Sequence, residues 1–315
     1  MPKVSVITPC YNSEKYIGET IKSVYAQSFT DWEHIIVDDG STDRSGDVVG
    51  SHAVRDGRIR FLSQLNQGVS TARNNGFKTS SKMSRYLLFL DADDTLEPLM
   101  LEKMVGYMDS RPEVGLARCE YGYIDSEGQQ IDYPDQKARY VPWGLWLRKL
   151  GRDEPETPFL SVFTLCGIVP SVALIRRSVY GETQGFDETF GHHHEDTDLF
   201  LHIALKSKVH FVSELLARRR RHPGQNTEDS PEFRKKARLQ EEKLYAKWNR
   251  GEGLTGEKKK RVREAWAFKQ GRLEPYLTFQ RAFKCWKKKD FGMTLRLTLS
   301  GSKQYLVSLI PGSPF

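Results

Sequence analysis

The chain has 315 residues, of which 38% are hydrophobic and 28% charged, with a net charge of +7. That length can bury a full core and holds one large α/β domain plus an appendage, and the composition excludes an intrinsically disordered chain. No apolar run approaches the roughly 20 residues of a membrane span, and Met1-Pro2-Lys3 leads directly into a strand-like segment, so a cytoplasmic protein without a signal peptide is expected.

Alternating strands and helices fill the first 125 residues. Val4–Thr8 is a short apolar strand, and Glu14–Gln27 carries Ile17, Ile21, Val24 and Tyr25 at helical spacing. Trp32–Val37 is the next strand, and Ser41-Thr42-Asp43 supplies cap-type residues for a helix through Val54. Strands at Ile59–Leu62, Tyr86–Leu90 and Val114–Ile124 alternate with helices at Val69–Thr79 and Leu96–Met108. This βα order implies a mostly parallel sheet with helices on both faces. Residues 125–164 are irregular and rich in Pro, Gly, Trp and acid. Order returns with a strand at Ser171–Ile175, a helix at Thr197–Leu205 and a strand at Val209–Val212. Ser230-Pro231-Glu232 and Thr255 then open two further helices, reaching about Trp248 and Lys269.

Two apolar strands run straight into acid, at Val37-Asp38-Asp39-Gly40 and at Phe89-Leu90-Asp91-Ala92-Asp93-Asp94. Ligand crevices form outside the carboxyl ends of parallel strands, so these acids are expected to face a ligand and a divalent cation. The competing reading is turn and cap chemistry before a helix. No GxxxxGK[ST] occurs, which argues against P-loop NTPases, and the one GxGxxG, residues 251–256, lies between two helix-like segments rather than after a strand, where a dinucleotide-binding turn belongs. The four cysteines, Cys10, Cys119, Cys166 and Cys285, have no CxxC or zinc-type spacing and are expected to be free thiols.

Four stretches taken in order, Val4-Ser5-Val6-Ile7-Thr8-Pro9-Cys10-Tyr11-Asn12, Val37-Asp38-Asp39-Gly40-Ser41-Thr42-Asp43, Asn66-Gln67-Gly68-Val69-Ser70-Thr71-Ala72-Arg73-Asn74 and Asp91-Ala92-Asp93-Asp94, resemble the family 2 glycosyltransferases. The resemblance covers about residues 3–225 and implies a GT-A fold, the Rossmann-like architecture of nucleotide-diphospho-sugar transferases. It implies a catalytic domain over 1–225, with a nucleotide-binding half to about 125 and an acceptor half from 126, followed by a basic, mainly helical extension over 226–315.

The same resemblance implies roles. Pro9, Tyr11, Asn12 and Asp39 hold the nucleotide; Asp39 can accept a hydrogen bond from the N3–H of uracil, and Tyr11 offers its ring beside the base. Arg73 is placed as a fixed cation near phosphate, against the alternative of a solvated helical arginine. Asp91, Asp93 and Asp94 match the DxD signature. Carboxylates repel a sugar diphosphate unless Mg²⁺ or Mn²⁺ bridges the two, so Asp93 is expected to bind metal, Asp91 ribose or metal, with Asp94 in support.

A second cluster, Gly185-Phe186-Asp187-Glu188 and Glu195-Asp196-Thr197-Asp198-Leu199, resembles the GGFDE and ED stretches of the family, with Gln184 in place of the first glycine. In inverting members an aspartate of the ED pair is the general base, here Asp196, with Glu195 orienting a neighbour; service to the helix dipole alone is the alternative. Adjacent His192, His193 and His194 cannot easily converge on one ion and read as an acceptor loop. His222, in Arg218-Arg219-Arg220-Arg221-His222-Pro223-Gly224, resembles the late Arg/His motif, implying a metal ligand beside Asp93 with Arg221 or Arg219 against phosphate; a solvated charge run is the alternative.

Residues 1–215 carry 23 Lys and Arg against 31 Asp and Glu, whereas residues 216–315 carry 25 against 10. Tyr276, Phe279, Phe283 and Trp286 recur at helical spacing among basic residues, which fits peripheral membrane contact through 275–315 or packing on the chain's own domain. The expected function is inverting, metal-dependent transfer of a hexosyl or N-acetylhexosaminyl group from a nucleotide-sugar, UDP-linked, to a hydroxyl of a glycan or glycolipid, in cell-surface polysaccharide or glycoconjugate synthesis. A nucleotidyltransferase with the same acidic site, or a non-catalytic carbohydrate- or nucleic-acid-binding protein, is the alternative, with nucleic acid disfavoured as a partner because it has no need of the ordered acids. Trp143 and Trp146, in the irregular segment, stack on sugar or pack in a core.

Overall fold

The structure, a computed structural model, describes residues 1–132, 159, 162, 168–191, 193–225, 231–250, 254–268 and 271. Trp143, Trp146, His192, Cys166, Cys285 and the basic aromatic segment 275–315 lie outside the described residues. The chain divides into two compact units, Met1–Val162 with Gly167–Glu241 and Phe163–Cys166 with Glu242–Phe315.

In the larger unit, strands β1 (Val4–Cys10), β2 (Trp32–Asp38), β3 (Ile59–Ser63) and β4 (Tyr86–Phe89) form the parallel part of the sheet, ordered β3-β2-β1-β4. Beyond β4 the sheet becomes mixed. Strand β8 (Ala173–Arg176) runs antiparallel between β4 and β6 (Val114–Ile124), and β9 (Lys208–Arg220) pairs parallel with β6. The short β5 (Thr95–Leu96) and β7 (Gln130–Ile131) add antiparallel to β9 and β6. The parallel geometry read from the βα repeat therefore belongs to the first four strands, where crossover helices enforce it; the later strands join by other connections.

Helices cover both faces because the strands are apolar on both. Val4, Val6 and Leu88 pack against Met100, Met104 and Met108 of α4 (Met100–Asp109), while Ile36 meets Ile17 and Ile21 of α1 (Ile17–Tyr25) and Val49 of α2 (Ser45–Ala53). The opposite face receives α3 (Val69–Thr79), close enough that a Cβ at Gly76 would overlap the Ile7 side chain. Phe77 and Phe89 both contact Tyr180 of α5 (Arg177–Gly181), with ring centroids 4.5 and 5.4 Å apart.

Element bounds differ from the sequence expectation in two informative places. The expected helix from Leu96 begins at Met100, because Thr95 and Leu96 pair with Arg218 and Ala217. The strand expected at Val209–Val212 runs from Lys208 to Arg220, so the arginine run is largely strand and not a solvated loop. The ED helix, α6, spans Glu195–Ala204. The last described helices are α7 (Pro231–Arg250) and α8 (Gly256–Phe268); within the smaller unit Tyr245 stacks on Trp266 with centroids 3.6 Å apart.

Candidate active site

The turn after β2 is built by its aspartates. Asp38 Oδ1 accepts from the Ser41 amide at 3.1 Å, and Gly40 takes φ +76°, where a Cβ would lie 2.9 Å from the Asn66 nitrogen. Asp39 is buried and its carboxylate accepts three hydrogen bonds of 2.8 Å, from Gln64 Nε2, the Gln67 amide and the Gly68 amide. A carboxylate offers about four acceptor sites, so one remains for a ligand N–H. Across the crevice, Asn12 adopts φ +47° and its Oδ1 accepts from the Thr42 amide at 2.8 Å. Tyr11, next to Asn12 and two residues after Pro9, is 49% exposed.

The three aspartates after β4 have separate environments. Asp91 receives Arg73 Nη2 on Oδ1 at 2.7 Å, and its own amide donates to Ser171 Oγ at 3.1 Å. Asp94 points inward: it is buried, its Oδ1 accepts from the Arg220 amide at 3.0 Å, and Arg219 Nε lies 4.0 Å from Oδ2. Burial, reinforced by the charge of Asp93, pushes the Asp94 carboxyl up to about 7 despite Arg219. Arg220, with no exposed side-chain surface, donates to the Asp93 carbonyl at 3.0 Å, the Asp125 carbonyl at 3.0 Å and Glu19 Oε2 at 2.6 Å. The acidic loop is thus clamped from β9. Glu19 and Arg220 were not among the residues expected from sequence, because their partners lie 201 positions apart and neither has a local signature.

Asp93 is the aspartate left facing outward, and His222 Nε2 stands 3.1 Å from its Oδ2. His222 Nδ1 lies 3.0 Å from the Pro223 carbonyl oxygen, which can only accept, so a hydrogen on Nδ1 satisfies that contact and leaves Nε2 for Asp93. Between Nε2 and the carboxylate there is room for a proton or a metal ion. A proton can serve, and the hydrogen bond with Asp93 indeed raises the His222 pKa. A divalent ion fits the same pair: adjacent octahedral ligands at about 2.1 Å from the ion stand roughly 3 Å apart. Among the described residues no group of three or more His, Cys, Asp or Glu gathers to hold a metal, so any ion here completes its shell with ligand phosphates and water. Arg221, expected in support, lies with its guanidinium 4.9 Å from the Tyr123 ring, and its amide donates to the Ile124 carbonyl at 2.7 Å.

The ED segment comes to this site through α3. Arg73, 4% exposed at the side chain, donates from Nη2 to Asp91 and from Nη1 to Glu195 Oε1 at 3.0 Å, 122 residues further on. Each terminal nitrogen donates to a carboxylate, while Nε has no hydrogen-bond partner among the described residues. Burial would lower its pKa, but Asp91 and Glu195 outweigh that and raise it. Burial and the neighbouring Asp196 push the Glu195 carboxyl up to about 7. Asn74 reinforces the link, its amide bonding the backbone of Phe186 in both directions at 2.9 and 3.0 Å. The chain there turns at Gly185, φ +74°, where a Cβ would meet Asn74 Oδ1 at 2.7 Å. Asp196, partly exposed beside Glu195, accepts from the Thr197 amide on Oδ1 at 2.6 Å. Asp198 faces inward with His202 Nε2 at 3.7 Å. His194 holds φ +68° at the helix cap, a conformation rare outside glycine.

A half-parallel sheet with an acid-tipped crevice at its switch point defines the GT-A class of nucleotide-sugar fold. Solved structures of that fold align over nearly the whole chain: S. aureus TarS 1–349 in complex with UDP-GlcNAc at TM-score 0.63 and 20% identity, covering 98% of this chain and 79% of that one. The mannosyltransferase PcManGT from Pyrobaculum calidifontis, in complex with GDP-Man and Mn²⁺, aligns at TM-score 0.63 and 18% identity, covering 97% of this chain and 81% of the other. The sequence profile of Glycosyl transferase family 2 matches residues 5–183, and the chain belongs to that family. The uncharacterized glycosyltransferase EpsJ of Bacillus subtilis is 42% identical over 136 residues, 43% of this chain. The chain spans well under half of that relative, 38% of its length. No described helix is long and apolar enough to cross a membrane.

Proposed function

We propose that the protein is an inverting, metal-dependent glycosyltransferase that moves a hexosyl or N-acetylhexosaminyl group from a UDP-sugar to a hydroxyl of a glycan or glycolipid, in the synthesis of a cell-surface polysaccharide or glycoconjugate. The observation that carries the reading is the Asp93–His222 pair, a carboxylate and an imidazole 3.1 Å apart, a spacing that suits adjacent ligands of one divalent ion. The UDP-GlcNAc and the Mn²⁺ with GDP-Man bound by the two structural neighbours support the choice of donor and ion.

In this reading Asp39, Asn12, Pro9 and Tyr11 hold the nucleoside, Asp91 the ribose, and Asp93 with His222 the ion. The chemistry a bound Mg²⁺ or Mn²⁺ supplies there is neutralisation of the charge on the departing diphosphate. Asp196 accepts the proton of the acceptor hydroxyl as that oxygen bonds to the anomeric carbon and the bond from carbon to the diphosphate oxygen breaks. Attack from the face opposite the leaving group converts an α-linked donor into a β-glycoside. Glu195 is held by Arg73 and Asp198 is buried beside His202, which leaves Asp196 as the outward carboxylate of the ED helix.

The test separates the two halves of the mechanism. Asp93→Asn should abolish Mn²⁺-supported UDP binding in calorimetry, whereas Asp196→Asn should keep that binding and lose sugar transfer. Full transfer by either variant overturns its assignment.

A further inference from the structure

Arg73 is unusual in what it spans. Its side chain is buried and touches Asp91, on the loop after β4, with one nitrogen and Glu195, the first residue of α6, with the other. The bonds are 2.7 and 3.0 Å, and the guanidinium lies 4.9 Å from the Phe186 ring. Asn74, the next residue of α3, holds the backbone of Phe186 and donates to Glu188 Oε1 at 3.0 Å. Consecutive residues of one helix thus fasten the donor-side loop and the segment leading into α6.

We infer that Arg73 is a positioning residue that sets the rotation of α6, and with it the direction of the Asp196 carboxylate, by anchoring Glu195 to Asp91. The inference rests on Asp196 being the general base. Side chains one position apart on a helix point about 100° apart around its axis, so fixing Glu195 inward fixes Asp196 on a different bearing. The cap of α6, His194, sits at φ +68° and offers no side-chain bond to the helix backbone; its Nδ1 lies 3.3 Å from Thr197 Oγ1. Each terminal nitrogen of Arg73 donates to a protein carboxylate, one on the donor-side loop and one on α6. Glu195 likewise serves as an anchor point, for which an amide oxygen would do as well as a carboxylate.

The experiment uses Arg73→Lys, Arg73→Met, Glu195→Gln, Glu195→Ala and Asp196→Asn in the full chain, each checked for a cooperative thermal transition. Binding of UDP with Mn²⁺ is read by calorimetry. Turnover is read as UDP released from UDP-GlcNAc, UDP-glucose and UDP-galactose, and amide hydrogen exchange is followed over residues 193–204. The inference expects Arg73→Met and Glu195→Ala to lower turnover by about 100-fold, the scale of a small misplacement of a reacting group, with the UDP dissociation constant within about threefold of the parent. It also expects faster exchange in the first turn of α6 and recovery of most turnover in Glu195→Gln, which keeps the hydrogen bond. Should Arg73→Met fail to fold, Arg73→Lys and the Glu195 pair decide alone. Loss of UDP binding in the Arg73 variants with normal exchange in α6 would make Arg73 a donor ligand and overturn the inference. A dead Glu195→Gln beside an active Asp196→Asn would instead overturn the assignment of the base, a separate failure.

Discussion

Asp93 Oδ2 and His222 Nε2 meet at 3.1 Å although 129 residues separate them, and Nδ1 of the same ring lies 3.0 Å from the Pro223 carbonyl oxygen. The Tyr16 ring, with its centroid 4.4 Å from that of the imidazole, keeps His222 in place. His222→Ala is therefore expected to weaken Mn²⁺-supported UDP binding by at least about tenfold, the lower end of what disturbed metal sites lose. UDP binding in EDTA should stay as it was. Titration calorimetry with and without Mn²⁺ checks both arms; an unaltered Mn²⁺ dependence removes His222 from the site.

Arg220→Met should be costly to the fold as well as to the site. The substitution removes the donor to the carbonyls of Asp93 and Asp125 and to Glu19, from a side chain with no exposed surface. Stranding such partners costs roughly 3 kcal/mol, most of it at the two carbonyls because Glu19 is half exposed and can hydrate. Urea unfolding should show the loss as a lower midpoint at unchanged slope. At a temperature where the variant is still folded, Mn²⁺-supported UDP binding should also weaken, since the loop bearing Asp93 loses its clamp.

How much of this was legible beforehand depends on the range of the interaction. The helix at Val69–Thr79 has the same bounds in sequence and structure because its start is marked locally by Gly68, which takes φ +92°. The four motif stretches fall around one crevice because each sits at the end of a parallel strand or the start of the helix that follows. The roles within Asp91, Asp93 and Asp94 were not separable, since nothing local says that Asp94 turns inward to the β9 backbone while Asp93 turns out to His222. The arginine run was ambiguous for the same reason: Arg218 meets Glu97 at 2.6 Å and Arg220 meets Glu19, partners supplied by residues 121 and 201 positions away. A charge that is solvated and one that is buried against a distant acid look identical in one dimension.

Gly76→Ala sets local against tertiary physics. In an isolated helix the change is favourable by about 1 kcal/mol. Here the new methyl would overlap the Ile7 side chain on β1 and crowd Val37 Cγ2 at 3.2 Å on β2, so α3 must lift from the sheet. Overpacking of this kind costs typically 1–3 kcal/mol, and the net expectation is destabilisation by about 1–2 kcal/mol. A urea midpoint equal to or above the parent would show that α3 shifts freely. Because Arg73 and Asn74 ride on the same helix, turnover should fall along with stability.

His34 makes stability depend on pH in a defined direction. It is fully buried on β2, its Nε2 lies 2.8 Å from Thr8 Oγ1, and Nδ1 has no hydrogen-bond partner among the described residues. Burial, with a smaller effect from His52, pushes its pKa down from 6.5 to about 3. The unfolded chain therefore binds a proton near pH 6.5 that the folded chain refuses until about pH 3. The contribution of a neutral His34 is fully present above pH 6.5 and is lost as pH falls through the window between those values, by up to about 1.4 kcal/mol per pH unit. Buried Glu195 and Asp94 act with the opposite sign, since both carboxyls are raised to about 7 and favour the folded state as pH falls below that. Comparison with a variant isolates the histidine. His34→Asn has no titrating group and is expected to lose stability at pH 7.5 through imperfect packing, yet to lose less than the parent between pH 6.5 and pH 5. Urea unfolding of both proteins at these three pH values measures the difference, and parallel pH profiles would mean that His34 accepts a proton in the folded protein as readily as in the unfolded one.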